Sequence, residues 1–252
     1  RGYKALKKGP HLVDPLTDSF LEVGDEALMM ASNGPTWIAR NRPAGVKAAI
    51  NSGADVIVLD DGFQNFSIKK NFSILVIETS IGFGNGYLIP AGPLRENISN
   101  GVKRSDIIIT IGAPSTQTTF KKAYSFFKAH SVIQGKLTPR KSNLDLKSKP
   151  VIAFAGIAHP EKFRTTLEDL GANVIKFEKF SNHKAFKIQH LNKLLFEART
   201  KGALLVTTAK DFVRIPAHLQ NYFNVLEVEL EIEDEKFLIN KLKSILPKAN
   251  SR

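Results

Sequence analysis

Short apolar runs alternating with amphipathic stretches set the rhythm of this chain from residue 35 onward. The runs at 36–39, 55–59, 73–78 and 106–111 are brief and rich in β-branched residues, which predicts strands. Between the first two, residues 43–52 predict a helix, with Pro43 near its start and Gly53 just past its end. Residues 79–101 break the rhythm: they are rich in Gly, Pro and Asn and too long for a mere connection, which marks a candidate functional loop. Residues 138–150 (TPRKSNLDLKSKP) are polar, basic and proline-bracketed and read as a linker. The alternation then restarts. Strands are expected at 151–155, 173–177, 204–207 and 224–230, a turn at Gly156, and helices at 160–170, 188–200 and 234–246. Strands alternating with helices predict an α/β fold of parallel strands joined by crossovers. The expected organisation is one α/β domain over residues 1–137, a linker over 138–150, and a second, smaller α/β domain over 151–252.

Composition narrows the class. The 252 residues are 42% hydrophobic and 24% charged, as in soluble globular domains. Lys plus Arg outnumber Asp plus Glu by 36 to 24, a net charge of +12, so the surface should attract a polyanion: nucleic acid, an anionic membrane or a phosphorylated substrate. There is no cysteine, hence neither a disulfide nor a thiolate metal site. No apolar run approaches the ~18 residues of a membrane span, and no signal peptide opens the chain.

Candidate chemistry centres on Asp60-Asp61-Gly62-Phe63-Gln64, where two carboxylates close the apolar run Val56 to Leu59 and lead into a glycine. In open α/β sheets, reacting groups gather at the carboxyl ends of strands, so paired acids there suit metal or proton chemistry; turn formation is the structural alternative. The 79–101 loop carries Gly82-Phe83-Gly84-Asn85-Gly86 and then Pro90 to Glu96. Its glycines let backbone approach a ligand closely, and Arg95 suits a phosphate clamp, against a local Arg95–Glu96 salt bridge. Gly24-Asp25-Glu26 reads as a helix start, where acids complement exposed amides. His183 lies between a predicted strand and helix, where an imidazole can relay a proton. In Thr207-Thr208-Ala209-Lys210-Asp211, capping by Thr208 competes with a role at a strand end. The phosphate loop G-x-x-x-x-G-K-[ST] does not occur in these residues.

In order, RGY (1–3), GDE (24–26), VLDDGFQN (58–65), GFGNGYLIPAGPLRE (82–96), RSD (104–106), FAGIAHPEKF (154–163), FSNHKAF (180–186) and TTAKD (207–211) resemble the tetraacyldisaccharide 4′-kinases of lipid A biosynthesis in Gram-negative bacteria. The resemblance implies a P-loop-kinase-like parallel-sheet domain followed by the smaller α/β domain, and ATP- and Mg²⁺-dependent phosphorylation of the 4′-hydroxyl of tetraacyldisaccharide 1-phosphate. It implies a peripheral enzyme at the cytoplasmic face of the inner membrane, with the glycolipid and the anionic membrane surface as partners and no nucleic acid. It further implies that the phosphate loop precedes the RGY word, so the expectation is that these residues form an N-terminally truncated, inactive piece of a longer protein. By matching words, Asp60 resembles the catalytic base, His183 its partner, and Asp61 the acid beside Mg²⁺. Gly84, Asn85, Gly86, Gly92, Arg95 and Glu96 resemble the substrate surface. Asn65, Asn182 and Ala209 stand where the family commonly has histidine, aspartate and glutamate. Asn182 can orient an imidazole but cannot stabilise its charge as a carboxylate does. A second enzyme class, a nucleotide-sugar glycosyltransferase at the membrane surface, fits the same two α/β domains and paired acid. Nucleic-acid binding rests on charge alone, since no RNP word or zinc spacing accompanies it.

Overall fold

In the computed structural model, which describes all residues except 1, 3, 4, 125–129, 142, 143, 182, 183 and 247–252, the chain forms two units, each assembled from two separate stretches. The first unit joins residues 1–53 to 139–228, and the second joins 54–138 to 229–252.

The first unit opens with β1 (His11–Leu12), α1 (Phe20–Val23), α2 (Asp25–Ala31), β2 (Trp37–Ile38) and α3 (Arg42–Asn51). The Glu22 carboxylate reaches back to the Ser19 amide at 2.9 Å, starting α1 as a capping box does. Asn41 accepts from the Ala44 amide at 3.1 Å and Pro43 sits in the first turn, which starts α3. β1 and β2 pair antiparallel. Val13, Val23, Ala27, Leu28 and Ile38 bury their side chains together.

The second unit continues with β3 (Ile74–Glu78), α4 (Ile98–Lys103), β4 (Ile107–Ile111), α5 (Pro114–Ala123) and β5 (Val132–Pro139). The chain then returns to the first unit through β6 (Pro150–Ala155), α6 (Pro160–Asp169), β7 (Asn173–Lys179), α7 (Ile188–Lys201), β8 (Leu204–Thr208), α8 (Ala209–Phe212), α9 (Ala217–Gln220) and β9 (Asn224–Leu226). It finishes in the second unit with β10 (Val228–Ile232) and α10 (Glu235–Ile245).

The first unit's main sheet is parallel throughout, in the order β7-β6-β8-β9. Its central strand β6 is an unbroken apolar run, and Val151 to Ala155 are all fully buried, as a parallel strand covered on both faces requires. Successive side chains point to opposite faces. Ile152 and Phe154 join Leu191, Leu194 and Phe223 on one side, while Val151, Ala153 and Ala155 join Phe163, Leu167 and Leu226 on the other. The second unit's sheet has the order β10-β5-β4-β3, with β3, β4 and β5 parallel. On β4, Ile108 packs with Ile77, Val102 and Phe120, and Ile107 and Ile109 pack with Ile133 and Leu238 of α10. Both units are α/β with parallel strands, the expected fold class.

Three expectations differ from the structure. Residues 55–59 form no strand: Val56 and Val58 are exposed, and Ile57 and Leu59 are only half-buried. Residues 224–230 are not one strand, because the chain breaks at Glu227 and enters two different sheets as β9 and β10. The compact units also cut the chain differently from boundaries at 137 and 151. The first 53 residues pack with the 139–228 stretch, because α2 lies against α8 and Val13, Val23 and Val213 share one core.

Candidate active site

In the second unit, three of the sequence words meet around a single carboxylate. The turn after the paired acids is closed by the Asn65 amide donating to Gly62 O at 3.0 Å, and Lys70 Nζ binds Asn65 O. Asp60 and Asp61 are exposed, and Asp61 takes φ 47, the left-handed region that β-carbons disfavour. Gln64 Nε2 donates to Glu96 Oε1 at 3.1 Å. Arg104 donates through both ends of its fork to Glu96, at 2.6 and 2.7 Å, and lies over the rings of Phe63 at 4.8 Å and Phe66 at 4.9 Å. The Arg104 guanidinium holds the Glu96 carboxyl below the usual range; burial opposes this and Gln64 adds to it. Asp106, in the same RSD word, accepts from the Ser73 amide at 2.7 Å and so ties the starts of β3 and β4.

The loop between β3 and α4 is built by its glycines and Asn85. Gly82, Gly84 and Gly86 take φ of 60, 60 and 78, conformations in which a side chain is strained. Asn85 bridges the loop, donating to Ala91 O at 2.9 Å and accepting from the Tyr87 amide at 3.2 Å. The Gly92 amide donates to Leu88 O at 3.0 Å, and the Leu94 amide to Tyr87 O at 3.2 Å. Phe83 anchors the loop against Phe120 and Tyr124. Arg95 is exposed, whereas Glu96 turns in to Arg104 and Gln64.

The first unit gathers a different set. Asp25 and Glu26 stand in the first turn of α2, Asp25 nearly buried at 5% exposure, and Glu26 accepts from Lys210 Nζ at 2.9 Å. Thr208 caps α8, accepting from the Asp211 amide at 3.1 Å. The Asp211 carboxylate accepts from Gly156 N at 2.9 Å and the Thr208 hydroxyl at 2.7 Å, and pairs with Arg214. Arg214, fully buried at its side chain, donates to Lys184 O at 3.0 Å and Gly156 O at 3.3 Å and lies 4.9 Å from the Phe186 ring. Burial pushes its guanidinium down, and the nearby Asp25 carboxylate pushes it up. The GDE word, Gly156, Lys184, Phe186 and the TTAKD word therefore converge in one unit, although GDE lies in the other stretch of the chain. The Asp211–Arg214 pair went unnoticed in the sequence; its signal is an acid and a base three apart, Asp211-Phe212-Val213-Arg214, inside an apolar context.

Of the expected site residues, Asp60, Asp61, Gly84, Asn85, Gly86, Gly92, Arg95 and Glu96 all belong to the second unit. Asn182 and His183, like Arg1 and Tyr3 of the RGY word, lie outside the described residues. Among the described residues no cluster of three or more His, Asp or Glu suited to a metal occurs, and no helix is long and apolar enough to cross a membrane.

A family model described as tetraacyldisaccharide-1-P 4′-kinase matches residues 1–247. The tetraacyldisaccharide 4′-kinase of Dinoroseobacter shibae is 41% identical over 255 residues, spanning 100% of this chain and 75% of that protein. The enzyme of that name from Paramagnetospirillum magneticum is 43% identical, spanning 92% of this chain and 70% of that protein. The one from Rhodospirillum centenum is 42% identical, spanning 98% and 72% respectively.

Proposed function

Since the chain belongs to the tetraacyldisaccharide-1-P 4′-kinase family, we propose that it serves transfer of the ATP γ-phosphoryl group to the 4′-hydroxyl of tetraacyldisaccharide 1-phosphate in lipid A biosynthesis. The observation that carries the site assignment is the Arg104–Glu96–Gln64 junction, which ties the paired-acid turn to the glycine-built loop. Phosphoryl transfer needs little covalent chemistry from the protein, so positioning and charge carry most of the rate.

Mg²⁺ usually takes one or two carboxylates, with waters and substrate phosphates completing its shell. The adjacent Asp60 and Asp61 suit that donor set, and a three-acid cage is not needed. Asp61 is assigned to hold the ion, which when bound neutralises charge on the transferring phosphate. Asp60 is assigned as the base that takes the 4′-hydroxyl proton, with His183 as its partner. Arg95 offers its guanidinium to the anionic sugar phosphate, Gly84, Asn85, Gly86 and Gly92 shape the loop that carries it, and Glu96 backs that surface. The +12 charge favours peripheral association with an anionic membrane, here the cytoplasmic face of the inner membrane, with the glycolipid rather than nucleic acid as partner.

One observation favours a second assignment of the base. Arg214 feels the Asp25 carboxylate and bonds the carbonyl of Lys184, the residue that follows His183 in sequence. Asp25 therefore competes with Asp60 as the acid that works with His183. Kinase assays on the complete gene product decide between them. The base variant, Asp60→Asn or Asp25→Asn, should lose ~10²–10⁴ in kcat at every Mg²⁺ concentration, whereas the loss of a metal ligand should be partly restored by more Mg²⁺. Full activity in Asp60→Asn would reassign Asp60 to turn formation.

A further inference from the structure

Arg104 lies outside every group assigned to the reaction, yet it reaches both Phe63 and Phe66, just past the paired acids. Its fork is spent on Glu96, and its guanidinium lies 4.8 Å from the Phe63 ring and 4.9 Å from the Phe66 ring. Glu96 in turn holds Gln64. Three of the four residues from Phe63 to Phe66 are thus fixed, directly or through one carboxylate, by one side chain at the end of α4. The acids stand immediately upstream, and Asp61 sits at φ 47, a backbone conformation that persists only where the surroundings determine it.

We propose that Arg104 is a positioning residue that fixes the Asp60–Asp61 turn against the 82–96 loop. The inference rests on the reading that these acids act in phosphoryl transfer. An ordinary structural ion pair is the competing account, and a charge-conserving substitution separates the two. The Arg104 side chain is 34% exposed and that of Glu96 19%, so the pair is half-buried and contributes to stability as well. Its geometry is one that lysine cannot reproduce, because an ammonium neither forks onto a carboxylate nor lays a planar face against an aromatic ring. Arg104→Lys should therefore leave the fold standing while freeing the turn.

The test uses the complete gene product with Arg104→Lys, Asp60→Asn, Asp61→Asn, and Arg104→Lys combined with each acid variant. Arg104→Lys should lower kcat by about tenfold to a hundredfold, the range expected when reacting groups are misplaced by about 1 Å, with KM for ATP changed less than about twofold. Backbone hydrogen exchange over residues 60–66 should quicken by about tenfold while exchange in β4 stays as it was. In the background of whichever acid variant is impaired, Arg104→Lys should cost less than about twofold more, because there is little left to position. The proposal is overturned if Arg104→Lys keeps full kcat, if its loss multiplies undiminished onto the acid variants, or if exchange at 60–66 does not change. If both acid variants retain full activity, the reading of the acids fails, and the positioning role falls with it; this differs from the case in which the acids matter and Arg104 does not.

Discussion

Replacing Arg214 by methionine should be among the most damaging single changes available to the first unit. Both side chains of the Asp211–Arg214 pair are fully buried, so removing the guanidinium strands a carboxylate away from water. Asp211 would keep its bonds from the Gly156 amide and the Thr208 hydroxyl, which soften the loss. The carbonyls of Lys184 and Gly156 would lose their donor, at about 1 kcal/mol each. Breaking a buried pair from one side costs roughly 3–5 kcal/mol in all. At roughly 2–4 °C per kcal/mol for a chain of this size, the melting temperature should fall by about 10 °C. Arg214→Met combined with Asp211→Asn should recover part of that, since no charge is then left unpaired, although the cap on Gly156 weakens. Thermal melts followed by circular dichroism, with hydrogen exchange in β6 as the local readout, measure both. A fall of less than about 2 °C in Arg214→Met, or a double variant that melts far below the single one, would refute the assignment of this pair as the buried brace.

Two further predictions rest on separate features. Burial alone would raise the Asp18 carboxyl, but Lys7, the Asp14 amide and His11 hold it down at about 2 against an ordinary 3.8. Its stabilisation is therefore present above about pH 4 and lost as pH falls toward 2. Asp18→Asn should lower the melting temperature at pH 6 by an amount that shrinks steadily as pH falls from about 4 toward 2, and a gap that stays constant across that range would contradict the network. Gly92→Ala would place a β-carbon 2.1 Å from Asn85 Oδ1 and 2.4 Å from Tyr87 O, so the 82–96 loop must open. Kinase activity should drop by more than about tenfold with the melting temperature little changed, and an active variant would show that this loop shape is dispensable.

Much of the fold is legible where burial is two-sided or where caps are explicit. The unbroken run at 151–155 announces a central strand, and Thr208 and the GDE acids stand where helix starts need them. The strand β5 is hidden because its sequence, VIQGKLTP, carries Gly135 and Pro139 and shows no regular alternation of polar and apolar residues. Gly135 is there because a β-carbon would stand 2.9 Å from Leu230 Cδ1 and 3.0 Å from Glu231 O of β10. Residues 55–59 show the opposite failure: β-propensity is high, but propensity describes fit to a half-buried surface, and Val58 is 88% exposed. The site is visible as words in order, but their grouping is not. That GDE meets TTAKD, and that Glu96 belongs to Arg104 rather than to its neighbour Arg95, depend on tertiary approach, which no local pattern encodes.

The interleaving of the two units constrains how the protein can be made. Glu26 and Lys210 are 184 positions apart, and Gln134 and Glu233, bonded in the second unit, are 99 apart. During synthesis residues 1–53 must wait, with their apolar core partner Val213 still unmade, until about 160 further residues have emerged between residue 53 and Val213. The second unit waits longer still, since Leu238 of α10 closes its Ile107–Ile109–Ile133 cluster. Neither unit can be completed from a growing N-terminal segment, and closing such distant contacts is slow. A ribosome-bound chain therefore holds two unfinished cores at once until Val213 and then Leu238 have been made, a state in which demand for chaperones should build across both units rather than fall domain by domain.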